Sequence, residues 1–355
     1  MECSSVSVAM ATYNGSLYID EQLADIAAQS VPPSELVVCD DGSSDDTLLI
    51  LQRFAATAPF PVRIHRNEDR LGYRANFLKC ASHCRSDLIA FCDQDDRWLP
   101  GKIEAMRSCF KDREVLLAFH GADVISGDGK RTGRLPLSPR PVGATPPLGG
   151  SPWTFALGFT QIFRRWLCDF DRWWDRSRDQ NTASEPLAHD QWYFFLASAL
   201  GTIIHVDEPL VQYRQHAGNV YGWTGAGRKF ATRVRGRIDA ARSWSARCAI
   251  AATKRALILD EAFDTLADPY RERAREGSAA YRQLAKRCAQ RADIYAGSTL
   301  RERARCFGSV LTGKGYGSDP WRFGPMALAM DLVVGIPGLH ESRAGSPSKK
   351  AGLLL

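Results

Sequence analysis

Four short clusters of side chains in this 355-residue chain are of types and spacings that do chemistry. Asp93, Asp95 and Asp96 directly follow the apolar run Leu88–Cys92. Carboxylates at alternating positions of an extended segment can share a hard cation, and a magnesium or manganese ion held this way keeps room for substrate phosphates. The plain alternative is a solvated acidic loop, since DxD alone is a short pattern with many false positives. Asp40 and Asp41 end a second apolar run, where Gly42 permits a tight turn and Ser43 can open a helix. Backbone N–H groups at a helix start bind anions, and the preceding carboxylate can accept from a base N–H. Taken singly, DDGS reads better as a turn and helix cap. His189 and Asp190 head the aromatic stretch QWYFFLASALG. A carboxylate beside such rings can be desolvated and tuned as a general base; its bland role is a first-turn acid favoured by the helix dipole. Finally, Arg214 and His216 alternate along an extended stretch, so both can face one side and hold phosphate and metal together. Combined, the four describe transfer of a group away from a nucleotide: a diphosphate held through a divalent cation, and a separate carboxylate activating an acceptor hydroxyl.

Such residues need a scaffold, and the first hundred residues alternate strand and helix patterns. Strands are expected at 5–12, 36–39, 62–65, 88–92 and 115–119, with helices after Gly15, after Asp46, over 73–84 and over 102–110. Ser16 is placed to cap the first helix, and Ser43 with Asp46 resembles a capping box for the second. This order indicates parallel crossovers and an open α/β sheet, whose ligands bind beyond the carboxyl ends of the strands. Those ends carry TYNG, CDDGS and CDQDD. The Pro- and Gly-rich stretch 132–152 reads as a long mobile loop, of the kind that covers an active site. A helix over 187–200 and strands over 202–206 and 210–213 follow. From Ala226 the chain reads as mostly helical, with breaks at Gly277 and Gly297 and fraying from Glu341.

Composition sets the outer limits. With 45% hydrophobic and 24% charged residues the chain is globular, neither disordered nor fibrous. Its apolar stretches are short; Met326–Val334, among the longest, carries Asp331, and no run reaches the roughly 20 residues of a membrane-spanning helix. Ten scattered cysteines without metal spacing are expected as reduced thiols, and the absence of a leader pattern at the N-terminus points to the cytoplasm. The net charge of +6 is uneven. Residues 1–225 hold 22 Lys+Arg against 28 Asp+Glu, whereas residues 226–315 hold 20 against 9. The basic part is either a solvated helical face or a contact for something anionic, such as a membrane surface.

The ordered motifs AMATYNG, VVCDDGSSDDT, RLGYRANF, FCDQDDRW, GFTQIFRR, HDQW and DEPLVQYRQHAGNVYG closely resemble glycosyltransferase family 2, most of all its bacterial rhamnosyltransferase-like branch. The resemblance covers residues 4–225. It implies a GT-A fold, a Rossmann-like and mostly parallel α/β sheet, in a catalytic domain over 1–225. A basic helical region over 226–320 and a partly disordered tail over 321–355 complete the expected organisation. Ala11, Thr12 and Tyr13 would border the base and ribose, with Asp41, and less firmly Asp40, accepting from the base. Arg70 or Arg74 would lie near base or phosphates. Asp93 would approach ribose and metal, Asp95 would be the main carboxylate ligand, and His216 the imidazole ligand of Mg²⁺ or Mn²⁺. Gly158, Phe159 and Thr160 would form the wall near the donor sugar, Arg214 would sit beside the diphosphate, and Asp190 would be the catalytic base. His189 stands where many members carry Glu. The implied donor is a dTDP- or UDP-linked sugar, rhamnose by the branch, and the acceptor a glycan or lipid-linked hydroxyl at the inner face of the plasma membrane. No nucleic-acid partner is implied.

Two other readings compete. A magnesium-dependent phosphotransferase of the haloacid dehalogenase type also places DxD after an apolar strand, but it normally has Thr or Val where this chain has Arg97, and it leaves DDGS, HDQW and YRQH unused. A catalytically silent nucleotide-sugar binder is disfavoured by the presence of Asp95, Asp190 and His216.

Overall fold

The computed structural model describes residues 4–135, 141–182, 184–219 and 234–338. The chain divides into two compact units, Met1–Asp179 with Ser184–Ala226 and Ile258–Gly277, and Gln180–Ala183 with Gly227–Leu257 and Ser278–Leu355.

The first unit opens with β1 (Val6–Thr12), α1 (Ile19–Ala27), β2 (Glu35–Asp40), α2 (Thr47–Ala55), β3 (Val62–Arg66), α3 (Gly72–His83) and β4 (Leu88–Asp93). The short β5 (Arg97–Trp98), α4 (Lys102–Arg107), the long β6 (Val115–Ser126), β7 (Arg131–Arg134), β8 (Gly143–Thr145) and β9 (Gln161–Arg164) come next. Then come α5 (His189–Leu200) and β10 (Thr202–Gln215). The main sheet runs β3-β2-β1-β4-β9-β6-β10-β5. β1 pairs in parallel with both β2 and β4, and β6 with β10, whereas β9 is inserted antiparallel between β4 and β6. Nearly every residue of β1, β2 and β4 is buried, as strands covered on both faces require. The order 3-2-1-4 reverses direction at β1, and the crevice beyond the carboxyl ends of β2, β1 and β4 is where such a sheet places a ligand.

Several local expectations give way to tertiary contacts. α1 is not capped by Ser16; it follows Tyr18 without a side-chain cap. Ser43 and Asp46 form no capping box. Ser43 instead donates to Asp40, and Asp45 accepts from the Thr47 backbone N–H at 3.1 Å. The stretch 132–152 is not one loop: it contains part of β7 and all of β8, each paired to the sheet, while residues 136–140 lie outside the described residues. The two strands expected over 202–213 are one, β10, bent by register shifts at Val206 and Pro209.

α6 (Val234–Phe263) and α7 (Tyr270–Ala296) run through both units, and α7 passes Gly277 unbroken before ending at Gly297. Gly277 sits inside the helix because a Cβ there would come within 2.9 Å of Leu259. The second unit adds α8 (Leu300–Thr312) and α9 (Pro325–Met330), which continues as a π turn over Asp331–Gly335. Thr299 and Glu302 cap α8 reciprocally through each other's backbone N–H groups. Ile294, Tyr295, Val310 and Val334 form its small core. The expected tail over 321–355 falls partly outside the described residues, from 339 onward; within 321–338, Pro325–Gly335 form α9 and its π turn. No described helix is long and apolar enough to cross a membrane. The described cysteines are all unpaired thiols.

Candidate functional site

At the carboxyl ends of β1 and β4 lies a cavity of about 420 Å³. Ala11, Thr12 and Tyr13 from the end of β1, Asp41 after β2, and Asp93, Gln94 and Asp95 after β4 form one side. Gly158, Phe159 and Leu157 before β9, with His189 and Asp190 at the start of α5, form the other. Parallel pairing of Thr12 with Asp40 and of Ala11 with Asp93 brings the three strand ends level.

Adjacent carboxylates at the end of β2 point to different tasks. Asp40 is fully buried, and its oxygens accept from the Thr12 hydroxyl at 2.9 Å and from the backbone N–H groups of Gly42 and Ser43. It holds the DDGS turn, which Gly42 makes possible at a φ of +86°, and does not reach the cavity. Asp41 does reach it. Its carboxylate also accepts from Asn67 Nδ2 at 2.9 Å and from the N–H groups of Leu71 and Gly72 at 2.7 and 2.8 Å. It thereby fixes the loop that presents Arg70, whose guanidinium lies 3.8 Å from the centre of the Tyr13 ring. Arg70 lines the cavity; Arg74, one turn into α3, is turned away to the Pro186 carbonyl at 2.6 Å and to Asp179 and Glu185.

The acidic turn after β4 separates likewise. Asp95 Oδ2 lies 2.8 Å from His216 Nε2. The Gly218 N–H donates to His216 Nδ1 at 3.1 Å, so the ring proton sits on Nε2 and is donated to Asp95. Asp93 faces the cavity, where burial first, then the charges of Asp95 and Asp190, push its carboxyl up to about 7. Asp96 is buried behind them and accepts from the Arg214 N–H at 3.0 Å. Arg214 does not line the cavity. Its guanidinium donates to Glu21 at 2.6 Å, to the Asp95 carbonyl at 2.9 Å and to the Gly127 carbonyl at 2.9 Å, bracing the turn that carries Asp95. Among the described residues no group of three His, Cys, Asp or Glu side chains is gathered as a metal site.

Across the cavity, Asp190 is buried at the first turn of α5. Burial pushes its carboxyl up to about 6, against the pull of the Gln191 and Gly158 N–H groups, its own N–H and Arg74. The Gln191 side chain reaches back to the Ala188 N–H at 3.0 Å, fixing the helix start. Behind it, Asp171 accepts from Trp192 Nε1 at 2.8 Å and from the Tyr193 hydroxyl at 2.7 Å. His189 stacks on Phe77 at 4.0 Å, and burial pushes its imidazole down to about 3, so it is neutral. Gly158 allows this approach: a Cβ there would lie 2.5 Å from His189 Nε2. Gly158→Ala is therefore expected to cost about 1–3 kcal/mol by overpacking; a lowered melting temperature checks it, and an unchanged one would show the ring free to shift. Thr160 is buried with its hydroxyl on the Leu157 carbonyl at 2.7 Å, shaping the wall from behind.

Residues 7–169 match the sequence model of Glycosyl transferase family 2. Over this segment, somewhat under half of the chain, the sequence is similar to that family. An uncharacterized Mycobacterium tuberculosis protein is 40% identical over 126 residues, 35% of this chain, and the match spans only 38% of that relative's length. The dTDP-rhamnosyl transferase RfbG of Shigella flexneri is 27% identical over 226 residues, covering 60% of this chain and 73% of RfbG. Among solved structures, Staphylococcus aureus TarS 1–349 in complex with UDP-GlcNAc aligns with a TM-score of 0.50 at 17% identity, over 87% of this chain and 91% of TarS. The mixed sheet is thus that of the GT-A fold.

The residues that sequence reasoning overlooks are those that wall or brace the cavity. Asn76, Phe77 and Tyr73 of α3 line it, as do Gln94, Tyr213, Gly218 and Asn219. Gln94 clasps the Tyr13 backbone, accepting from its N–H at 2.9 Å and donating to its carbonyl at 3.1 Å. Tyr213 stacks on Phe159 with rings 8° from parallel and centres 5.0 Å apart. Lys102 is wholly buried, donates to the Phe159 carbonyl at 2.6 Å and is pushed down to about 7 by burial. It ties the wall of Gly158 and Phe159 to α4. Tyr73, Asn76 and Phe77 stand within the RLGYRANF motif, the one signal that pointed to them.

Proposed function

We propose that the protein is an inverting glycosyltransferase that moves a sugar from a nucleoside-diphosphate donor to an acceptor hydroxyl. One observation carries this reading: a buried carboxylate poised near neutrality, Asp190, shares a single cavity with the acidic strand end Asp93–Asp95 and with the Asp41–Tyr13–Arg70 corner. Tyr13, Asp41 and Arg70 would receive the base and ribose, and Asp93 would approach the ribose. The chemistry of Asp95 and His216, a carboxylate oxygen and an imidazole nitrogen facing each other, fits two protein ligands of Mg²⁺ or Mn²⁺, with diphosphate and water completing the shell. A bound cation would supply positive charge to the diphosphate. Arg214 would keep Asp95 in place and Arg70 would add charge on the cavity side. Asp190 would take the proton of the attacking hydroxyl at its carboxylate, in one displacement at the anomeric carbon. Neutral His189 beside it avoids a second negative charge next to the base.

The similarity to RfbG supports a dTDP-linked rhamnose donor, and a glycan or lipid-linked acceptor follows from the same reading. A screen of nucleotide sugars by thermal shift, with and without Mn²⁺, tests it. At ligand near a hundred times its Kd, stabilisation of about 2.7 kcal/mol is expected. The donor should raise the melting temperature only with metal, and slow release of the nucleoside diphosphate should follow. A chain that binds no nucleotide sugar under either condition would end the proposal. A lipid-linked acceptor further places the protein at an anionic membrane surface through the basic segment 226–315. Of its densest cluster, Arg228, Lys229 and Arg233 lie outside the described residues.

A further inference from the structure

Between Pro325 and Gly338 the only polar side chain is Asp331. It is fully buried in the second unit. Arg291 donates to it through Nε at 2.8 Å and Nη2 at 3.0 Å, and the hydroxyls of Tyr295 and Tyr316 donate at 2.5 Å each. The one group that could interrupt an apolar surface is thus turned inward, and it fastens the helix to α7. A π turn at this point closes Ile336 N–H onto the Asp331 carbonyl at 2.9 Å. Asp331 and Val334 point inward there while Leu332 and Val333 point outward. The outward side is entirely apolar: Met326 is 79% exposed, Val333 64% and Leu332 47%, and Pro325, Ala329 and Pro337 are exposed around them. Single exposed apolar residues are ordinary; a continuous apolar helix side with its only charge neutralised inside marks an interaction surface.

Charge selects the partner. Residues 278–338 carry nine Lys+Arg against four Asp+Glu. Lys314 and Arg322 stand beside the start of α9, because the Phe323 N–H donates to the Gly315 carbonyl at 2.8 Å. An apolar strip edged by cations is the chemistry of a helix that lies in the interface of an anionic bilayer, apolar side down. We infer that the α9–π-turn helix, Pro325–Gly335, is an interfacial anchor that inserts Met326, Leu332 and Val333 into an anionic lipid surface. This rests on the membrane association proposed above and names the element that performs it.

The test uses the full-length chain and its triple variant Met326→Ser, Leu332→Ser, Val333→Ser. All three positions are exposed, so the variant should keep the wild-type circular dichroism and melting temperature. Co-sedimentation is measured with phosphatidylcholine vesicles and with phosphatidylcholine–phosphatidylglycerol vesicles, in low salt and at about 1 M salt, where the Debye length is about 3 Å. The wild type should bind the anionic vesicles and keep part of that binding at high salt, since apolar insertion is not screened. The variant should bind about tenfold more weakly at low salt and lose the salt-resistant part. If the folded variant binds like the wild type at both salts, the anchor is overturned while basic-surface attachment survives. If the wild type ignores anionic vesicles, both fall. A wild-type dimer that the variant dissociates, without vesicle binding, would assign the face to a second copy of the chain and overturn the anchor as well.

Discussion

Asp190→Asn is expected to reduce turnover by about 10²–10⁴-fold while donor affinity stays near the wild-type value. The amide matches the carboxylate in shape and can still accept the Gln191 N–H that Asp190 Oδ1 now accepts at 2.8 Å. It cannot take up the acceptor's proton. Titration gives a second readout. Burial pushes the Asp190 carboxyl up to about 6, and a general base works only when ionised. Wild-type kcat/KM should therefore fall about tenfold per pH unit below pH 6 and level off above it. The residual activity of the variant should lack that acid limb. A variant that transfers sugar at the wild-type rate, or that keeps the same limb, would remove Asp190 from the role of base.

The parts of this site that could be read from the sequence are those set by local pattern. Apolar runs ending in acids locate β2 and β4, polar–apolar alternation running into TYNG locates β1, and the switch point between them follows from parallel order alone. Which of two neighbouring carboxylates faces the cavity does not. Asp40 and Asp41 differ by one position at a strand end, and the outcome depends on the Thr12 hydroxyl and on Asn67, more than 25 residues away in either direction. The sequence leaves Arg70 and Arg74 as open alternatives for the same reason. Arg70 precedes a turn at Gly72 with φ of +76°, which delivers it to the cavity, whereas Arg74 is captured by Asp179, Glu185 and the Pro186 carbonyl over a hundred residues on. The resemblance implies Arg214 beside the diphosphate, whereas the structure commits its guanidinium to Glu21 and to two carbonyls. Long side chains have long reach, and sequence spacing says nothing about what they meet in space. The antiparallel β9 is equally hidden, because its four residues, QIFR, are too short a pattern to show a strand, and its direction is decided by its neighbours β4 and β6.

Asp95→Ala should abolish the metal-dependent part of nucleoside-diphosphate binding. Asp95 and His216 are held face to face from both sides. The Asn219 side chain accepts from the His216 N–H at 2.6 Å and donates to the Arg214 carbonyl at 3.1 Å, while Arg214 donates to the Asp95 carbonyl. The Tyr18 ring packs 4.8 Å from the imidazole. Such bracing of two side chains, with Asp95 lining the cavity, suits the proposed ligand pair better than a solvated acidic loop. Residues that merely brace a metal ligand typically cost about 10–100-fold in metal affinity when removed. Arg214→Ala should fall in that range. Asp95→Ala would remove the proposed oxygen ligand itself and should lose at least about 100-fold, close to the whole gain expected from Mn²⁺. Calorimetry of nucleoside diphosphate with and without Mn²⁺ measures both variants, with melting temperature as the check on folding. The order of the two effects matters more than their size. If Arg214→Ala weakens Mn²⁺-dependent binding and Asp95→Ala leaves it intact, the guanidinium contacts the nucleotide directly and the cation must be held by other groups.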